Sequence, residues 1–122
     1  MNGTNIFVDT NICIYLLNGD EVIGDMLNNR NLFISIITEM ELCTFQGYSA
    51  IEIIKTFLDS ITILNIDEGI KESAIKIRTE SKLKLPDSII AASAITNDMP
   101  LITADKDFKK IIGLDLILFE HN

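Results

Sequence analysis

The sequence predicts an α/β fold with three α/β/α layers, in which helices cover both faces of a central, mainly parallel five-stranded sheet. Three observations carry this. Five short apolar runs, at residues 5–8, 32–35, 61–66, 101–103 and 116–119, alternate with segments of helical periodicity, as in right-handed strand-helix-strand crossovers. Between the third and fourth runs, Ile89, Ile90, Ala91, Ala92, Ala94 and Ile95 leave almost no polar face, so this helix packs on both sides rather than against water. Aspartates close two of the runs: Asp9 after Phe7 and Val8, and Asp105 after Leu101, Ile102 and Thr103 with Ala104 between.

Taken in order, the first strand spans Asn5 to Val8. Thr10 and Asn11 can cap a helix through Leu17, which Asn18-Gly19 closes. Asp20 caps a second helix to about Asn29, with Val22, Ile23, Met26 and Leu27 at helical spacing, and Leu32 to Ser35 is the next strand. A third helix follows at once. Thr38 and Glu41 have the spacing of a capping box, and Gly47 is a natural stop. A fourth helix covers Ser49 to Leu58, Ile61 to Ile66 is a strand, and Asp67 caps a fifth helix to about Lys82 with Ile70, Ala74 and Ile77 on one stripe. Pro86 suits the first position of the apolar helix, and Asn97 to Pro100 makes a turn. After the strand Leu101 to Thr103, a short helix from Asp105 to Ile112 ends at Gly113, and Leu116 to Phe119 is the last strand.

Chain length and composition set limits on function. At 122 residues and 48% hydrophobic content the chain can bury one substantial core, and a single domain over residues 1–122 is expected. No window reaches the roughly 18 to 20 apolar residues of a membrane span, and no secretory leader pattern opens the chain, so a cytoplasmic location is expected. Cys13 and Cys43 lie inside apolar helical patterns without metal-binding spacing, as small core residues do. His121, the only histidine, is next to last and has no catalytic role, which removes nucleophile schemes that need a histidine base. The net charge of −8 disfavours nucleic acid unless basic patches or cations intervene. All ten basic residues except Arg30 follow Glu52.

The acids carry the chemistry. In an open parallel sheet, ligands bind beyond the carboxyl ends of the strands, and the topology directs Asp9, Glu41, Asp87, Asp105 and Asp107 to that one edge. Each acid alone has a simpler explanation, since caps and first-turn acids are favoured by about 0.3 to 1 kcal/mol. Together they would repel one another unless something compensates. Carboxylates without His or Cys nearby suit a hard divalent cation, Mg2+ or Mn2+, which binds with substrate phosphates and activates water for displacement at phosphorus. That points to phosphodiester cleavage.

Four motifs, VDTN at 8–11, ISIITEMEL at 34–42, LPDSIIAASA at 85–94 and LITADKDF at 101–108, make the chain resemble a PIN-domain ribonuclease. It is most similar to VapC-like toxins of VapBC-type toxin-antitoxin pairs. The resemblance covers nearly the whole chain and implies that Asp9, Glu41, Asp87 and Asp105 form the catalytic site. Asp9, Asp87 and Asp105 would hold the metal, while Asn11 and Thr103 orient and Asp107 supports. Periodicity does not separate Glu39 from Glu41; the family's Glu-Leu pair favours Glu41. The chain departs from many such toxins in its acidity and in having Ala104 and Lys106, not arginine, beside Asp105.

The expected function is a divalent-metal-dependent endoribonuclease, with RNA as substrate, a cognate antitoxin protein as partner and no membrane contact. Two other readings stand beside it. One is a catalytically inactive PIN-like module that binds RNA or a partner. The other is an acid-rich phosphatase or phospho-receiver, which fits less well because Asp9 is followed by Thr10-Asn11 rather than a second aspartate after one residue, and Asn65-Ile66-Asp67 offers only a cap-like acid. Phe45, Tyr48, Ile51, Ile54 and Phe57 exceed what a two-helix clip can bury beneath itself, which predicts a homodimer.

Overall fold

The computed structural model describes residues 4–45 and 51–120, with Phe45 described in its backbone only. Five strands, β1 (Asn5–Val8), β2 (Asn31–Ser35), β3 (Thr62–Leu64), β4 (Leu101–Thr103) and β5 (Leu116–Leu118), form one sheet in the order β3-β2-β1-β4-β5. Every neighbouring pair is parallel. The six helices are α1 (Thr10–Leu17), α2 (Glu21–Leu27), α3 (Ile36–Phe45), α4 (Ile51–Asp59), α5 (Glu68–Ser81) and α6 (Leu85–Thr96); a 3-10 helix spans Lys106–Lys110. The expected five-stranded α/β/α architecture is therefore the observed one, and the sheet is parallel throughout its described pairs.

Side chains alternate across a strand, and β1 feeds both cores in this way. Phe7 packs with Ile70, Ala74 and Ile77 of α5 and with Ile89 to Ala94 of α6. Ile6 and Val8 point the other way, to Ile12 and Cys13 of α1, Ile23 and Leu27 of α2, Leu42 of α3 and Ile54 of α4. Helix α6 is buried from Ser88 to Ala94, as a helix lying between a sheet and α5 must be. Its alanines let backbones approach closely, and Ser88 and Ser93 return their hydroxyls to the carbonyls of Lys84 and Ile89, so no buried polar side chain is left unpaired among the described residues.

Three local expectations need correction. Thr38 is not a helix cap: α3 begins at Ile36, the Ser35 hydroxyl accepts from the Ile37 N–H at 3.0 Å, and Thr38 is buried inside the helix. A serine at the strand end competes for the cap role with a threonine three residues later, and spacing alone does not separate them. Cys43 is exposed rather than in the core. Ile54 is buried and Phe57 is partly buried against the core, so neither is left as exposed apolar surface, whereas Ile51 is exposed. Tyr48, Gly47, His121 and the Phe45 side chain lie outside the described residues.

If α6 is set by close packing, adding volume to it should be costly. Ala91→Leu is expected to destabilise by about 1 to 3 kcal/mol, whereas Ile75→Ala on the exposed side of α5, 58% exposed, should stay within about 0.5 kcal/mol. Urea melts of both variants check this, and equal losses would remove the distinction between the two positions.

Candidate active site

Asp9 ends β1 at the place where the sheet changes direction. From β1 the chain moves outward to β2 on one side, and β4 returns on the other. Such reversals open a crevice at the carboxyl ends of the strands. Asp9 is only 4% exposed. One carboxylate oxygen caps α1 by accepting from the Thr10 N–H at 2.8 Å, and the other accepts from the Thr103 hydroxyl at 2.6 Å. The Thr103 hydroxyl in turn accepts from the Asp105 N–H at 3.0 Å, and the Asn11 carbonyl accepts from the Ala104 N–H at 3.2 Å. The loop after β4 is thus stitched to the start of α1.

Glu41 reaches the same place from α3. Its Oε1 accepts from the Thr10 hydroxyl at 2.5 Å, and the Thr38 hydroxyl lies 2.9 Å from that of Thr10. Glu39 makes neither contact. Asp87, in the first turn of α6, is half-buried, and among the described residues no hydrogen-bond donor meets its carboxylate. Asp105 turns its carboxylate toward its own 3-10 helix, accepting from the Asp107 N–H at 2.9 Å; Asp107 is exposed.

The electrostatics bind these residues into one cluster. Burial pushes the Asp9 carboxyl up to about 6, the bonds from Thr103 and Thr10 oppose the rise, and Asp87 and Glu41 add to it. Asp87 is raised as well, by burial first and then by Asp105, with Glu41 and Asp107 contributing and Lys84 opposing. Of the seven residues singled out in the sequence, Asp9, Asn11, Glu41 and Thr103 are thus tied to the crevice by hydrogen bonds. Asp87 joins through its field, Asp105 through its backbone and field, and Asp107 through its field and the N–H it donates to Asp105. Thr10 and Thr38, which join α1 to α3 here, read in the sequence only as caps.

A PIN domain family profile matches residues 6–114. The chain belongs to the PIN domain family. Among solved structures, this PIN domain is similar to a toxin-antitoxin complex from Klebsiella pneumoniae, with 35% identity, a TM-score of 0.81, and coverage of 92% of this chain and 95% of that one. It is also similar to VapBC2 from Rickettsia felis bound to a DNA fragment from their promoter (25% identity, TM-score 0.82, 96% and 100% covered). VapBC-1 from nontypeable Haemophilus influenzae is a third such structure (27% identity, TM-score 0.78, 94% and 98% covered). No curated protein sequence matches the chain. Family membership removes the phosphatase and receiver readings.

The donor set of this PIN domain suits a hard cation, being carboxylate oxygens alone, and the raised carboxyls show charge that the protein itself leaves uncompensated. As the side chains stand, no three acids among the described residues close into a ready ligand group. Glu41 instead accepts from the Thr10 hydroxyl, and Asp105 from the Asp107 N–H.

The direction of the Asp9 shift fixes a pH dependence. Its carboxyl binds a proton more tightly in the folded chain than at the ordinary value of 3.8, so cation-free stability from this group is highest below about pH 4. That stability falls as pH rises toward about 6. Two units correspond to about 3 kcal/mol. Asp9→Asn keeps a capping side chain and removes the charge. In chelator it should therefore gain up to about 3 kcal/mol over the unsubstituted chain at pH 7.5 and nothing at pH 4. Urea melts across this range test the claim, and a variant less stable at pH 7.5 would sink it.

Proposed function

We propose that this PIN domain is a divalent-metal-dependent endoribonuclease that hydrolyses RNA phosphodiester bonds, and that it is the toxin of a toxin-antitoxin pair. PIN domains are in general nucleases, typically with divalent metals. The observation that carries the reading for this chain is the buried Asp9 carboxylate, its two oxygens held by Thr10 and Thr103, with Asp87 and Glu41 acting on it and, among the described residues, no lysine or arginine acting on Asp9 itself.

In this reading Asp9, Asp87 and Asp105 hold Mg2+ or Mn2+. A cation bound there would lower the pKa of a water and offset the charge that develops at phosphorus. Thr103 and Thr10 fix both oxygens of Asp9, so its direction is set before any ligand arrives. Asn11 would hold the loop after β4 by accepting the Ala104 N–H at its side-chain carbonyl, and the charge of Asp105 beyond that loop acts on Asp87. Glu41, whose carboxylate is the most exposed of the four catalytic acids, orients the attacking water and takes its proton. Asp107 supports through its field on Asp87. Lys84, exposed at the start of α6 and acting on Asp87, is a cation that an RNA phosphate could meet.

The similarity to solved toxin-antitoxin complexes supports an antitoxin protein as partner. The groove of about 300 Å³ lined by Cys43, Ile51, Ile54, Lys55 and Leu58, with Cys43 and Ile51 exposed, is an apolar surface of the kind that marks interfaces. We assign this face of α3 and α4 to protein association, including a homodimer. No helix among the described residues is long and apolar enough to cross a membrane, and RNA as substrate implies a cytoplasmic site of action.

Purified protein should cut structured RNAs in Mg2+ or Mn2+ and stop in excess EDTA. Asp9→Asn and Asp87→Asn should each slow cleavage by more than about 10- to 100-fold, the loss typical of removing even an outer-sphere partner of a metal. Undiminished cleavage in chelator overturns the mechanism. Light scattering at micromolar concentration should give the mass of a dimer, and Ile51→Glu should shift it toward the monomer; a monomer in the unsubstituted protein ends the dimer assignment.

A further inference from the structure

We propose that Thr10 is a positioning residue for Glu41, and that the buried Thr38 hydroxyl sets the direction of the hydrogen bond between them. The inference rests on the nuclease reading of the same site. Thr10 is tied by its backbone to the first acid, because its N–H is donated to Asp9 Oδ1 at 2.8 Å. That hydroxyl meets two oxygens, Glu41 Oε1 at 2.5 Å and Thr38 Oγ1 at 2.9 Å. A threonine hydroxyl has one proton, and an ionised carboxylate only accepts. The Thr10 proton therefore goes to Glu41, and Thr38 donates to Thr10. The chain of donation runs Thr38 to Thr10 to Glu41.

Helix geometry explains why this pair of hydroxyls picks out Glu41. Thr38 and Glu41 are three residues apart and share a face of α3, whereas Glu39 is two residues from Glu41 and faces elsewhere. Thr38 is fully buried and Glu41 is exposed. An exposed glutamate left to itself samples many rotamers; this one is drawn to the crevice that holds Asp9 and Asp87, on whose carboxyls it acts. Thr10 thus serves two acids at once, Asp9 through its backbone and Glu41 through its side chain.

The test is a double-mutant cycle with Thr10→Val, Thr10→Ser, Thr38→Val, Glu41→Ala and the pair Thr10→Val with Glu41→Ala. Two readouts are taken: the RNA cleavage rate, and Mn2+ affinity by calorimetry without RNA. Thr10→Val should lower both by about tenfold, the order of one charge-assisted hydrogen bond, while Thr10→Ser stays within about twofold and Thr38→Val falls between. In the Glu41→Ala background, Thr10→Val should cost nothing more. A Thr10→Val protein that matches the unsubstituted one, or a loss that persists in full without Glu41, overturns the inference. If Thr10→Val does not fold, the same cycle with Thr38→Val decides in its place. Should the unsubstituted protein neither cut RNA nor bind Mn2+, the nuclease reading fails by itself. NMR of the Glu41 side chain then judges the positioning claim: order lost on Thr10→Val upholds it, and equal mobility in both proteins overturns it.

Discussion

The bond from the Thr103 hydroxyl to Asp9, closing a sequence separation of 94 residues at 2.6 Å, is the constraint on which the crevice depends. It joins the ends of β1 and β4 where the sheet order reverses. A buried carboxylate is tolerated only when its oxygens are bonded, and both donors here are fixed by something else: the Thr10 N–H by the first turn of α1, the Thr103 hydroxyl by the Asp105 N–H. The position of Asp9 is over-determined. Every other acid of the cluster is placed relative to it.

Asp87 shows how packing and charge compete. Pro86 and the alanines of α6 seat that helix between the sheet and α5, which brings its first turn to the carboxyl edge of the strands. A helix start favours a negative charge by about 0.3 to 1 kcal/mol, yet the Asp87 carboxyl is raised. Burial and the neighbouring acids outweigh the dipole and Lys84 together. An acid placed only to cap a helix sits as Asp67 does, exposed and bonded to the Ile70 N–H at 2.8 Å.

Much of this was legible in the chain because it rests on local patterns. The apolar runs and the faceless stretch from Ile89 to Ile95 gave all five strands and the doubly covered helix, and the parallel order placed Asp9, Asp87 and Asp105 on one edge. What was not legible depends on three-dimensional partners. Thr10 and Thr38 have cap-like spacing, and nothing in one dimension says that their hydroxyls meet across two helices. Glu39 and Glu41 each have apolar neighbours at helical spacing, so periodicity does not separate them; in the fold the Thr10 hydroxyl does. Cys43 and Ile54 fit one apolar pattern, yet the first faces out and the second in, because α4 covers only part of α3.

The acidity of the chain bears on the substrate in a way the crevice itself resolves. At physiological salt, exposed charges more than about 8 Å apart are largely screened, so a net charge of −8 matters less than what stands within the crevice. There the carboxylates of Asp9, Asp87, Asp105 and Glu41 would repel a phosphate directly. The nearby lysines offset this weakly, since Lys106 is already 3.7 Å from Glu120, an exposed pair worth about 0 to 1 kcal/mol that a phosphate can displace. On the nuclease reading the cation must therefore precede or accompany the RNA. A cation in the acid cluster would reduce its negative charge, and this would couple substrate affinity to metal concentration without any movement of the fold.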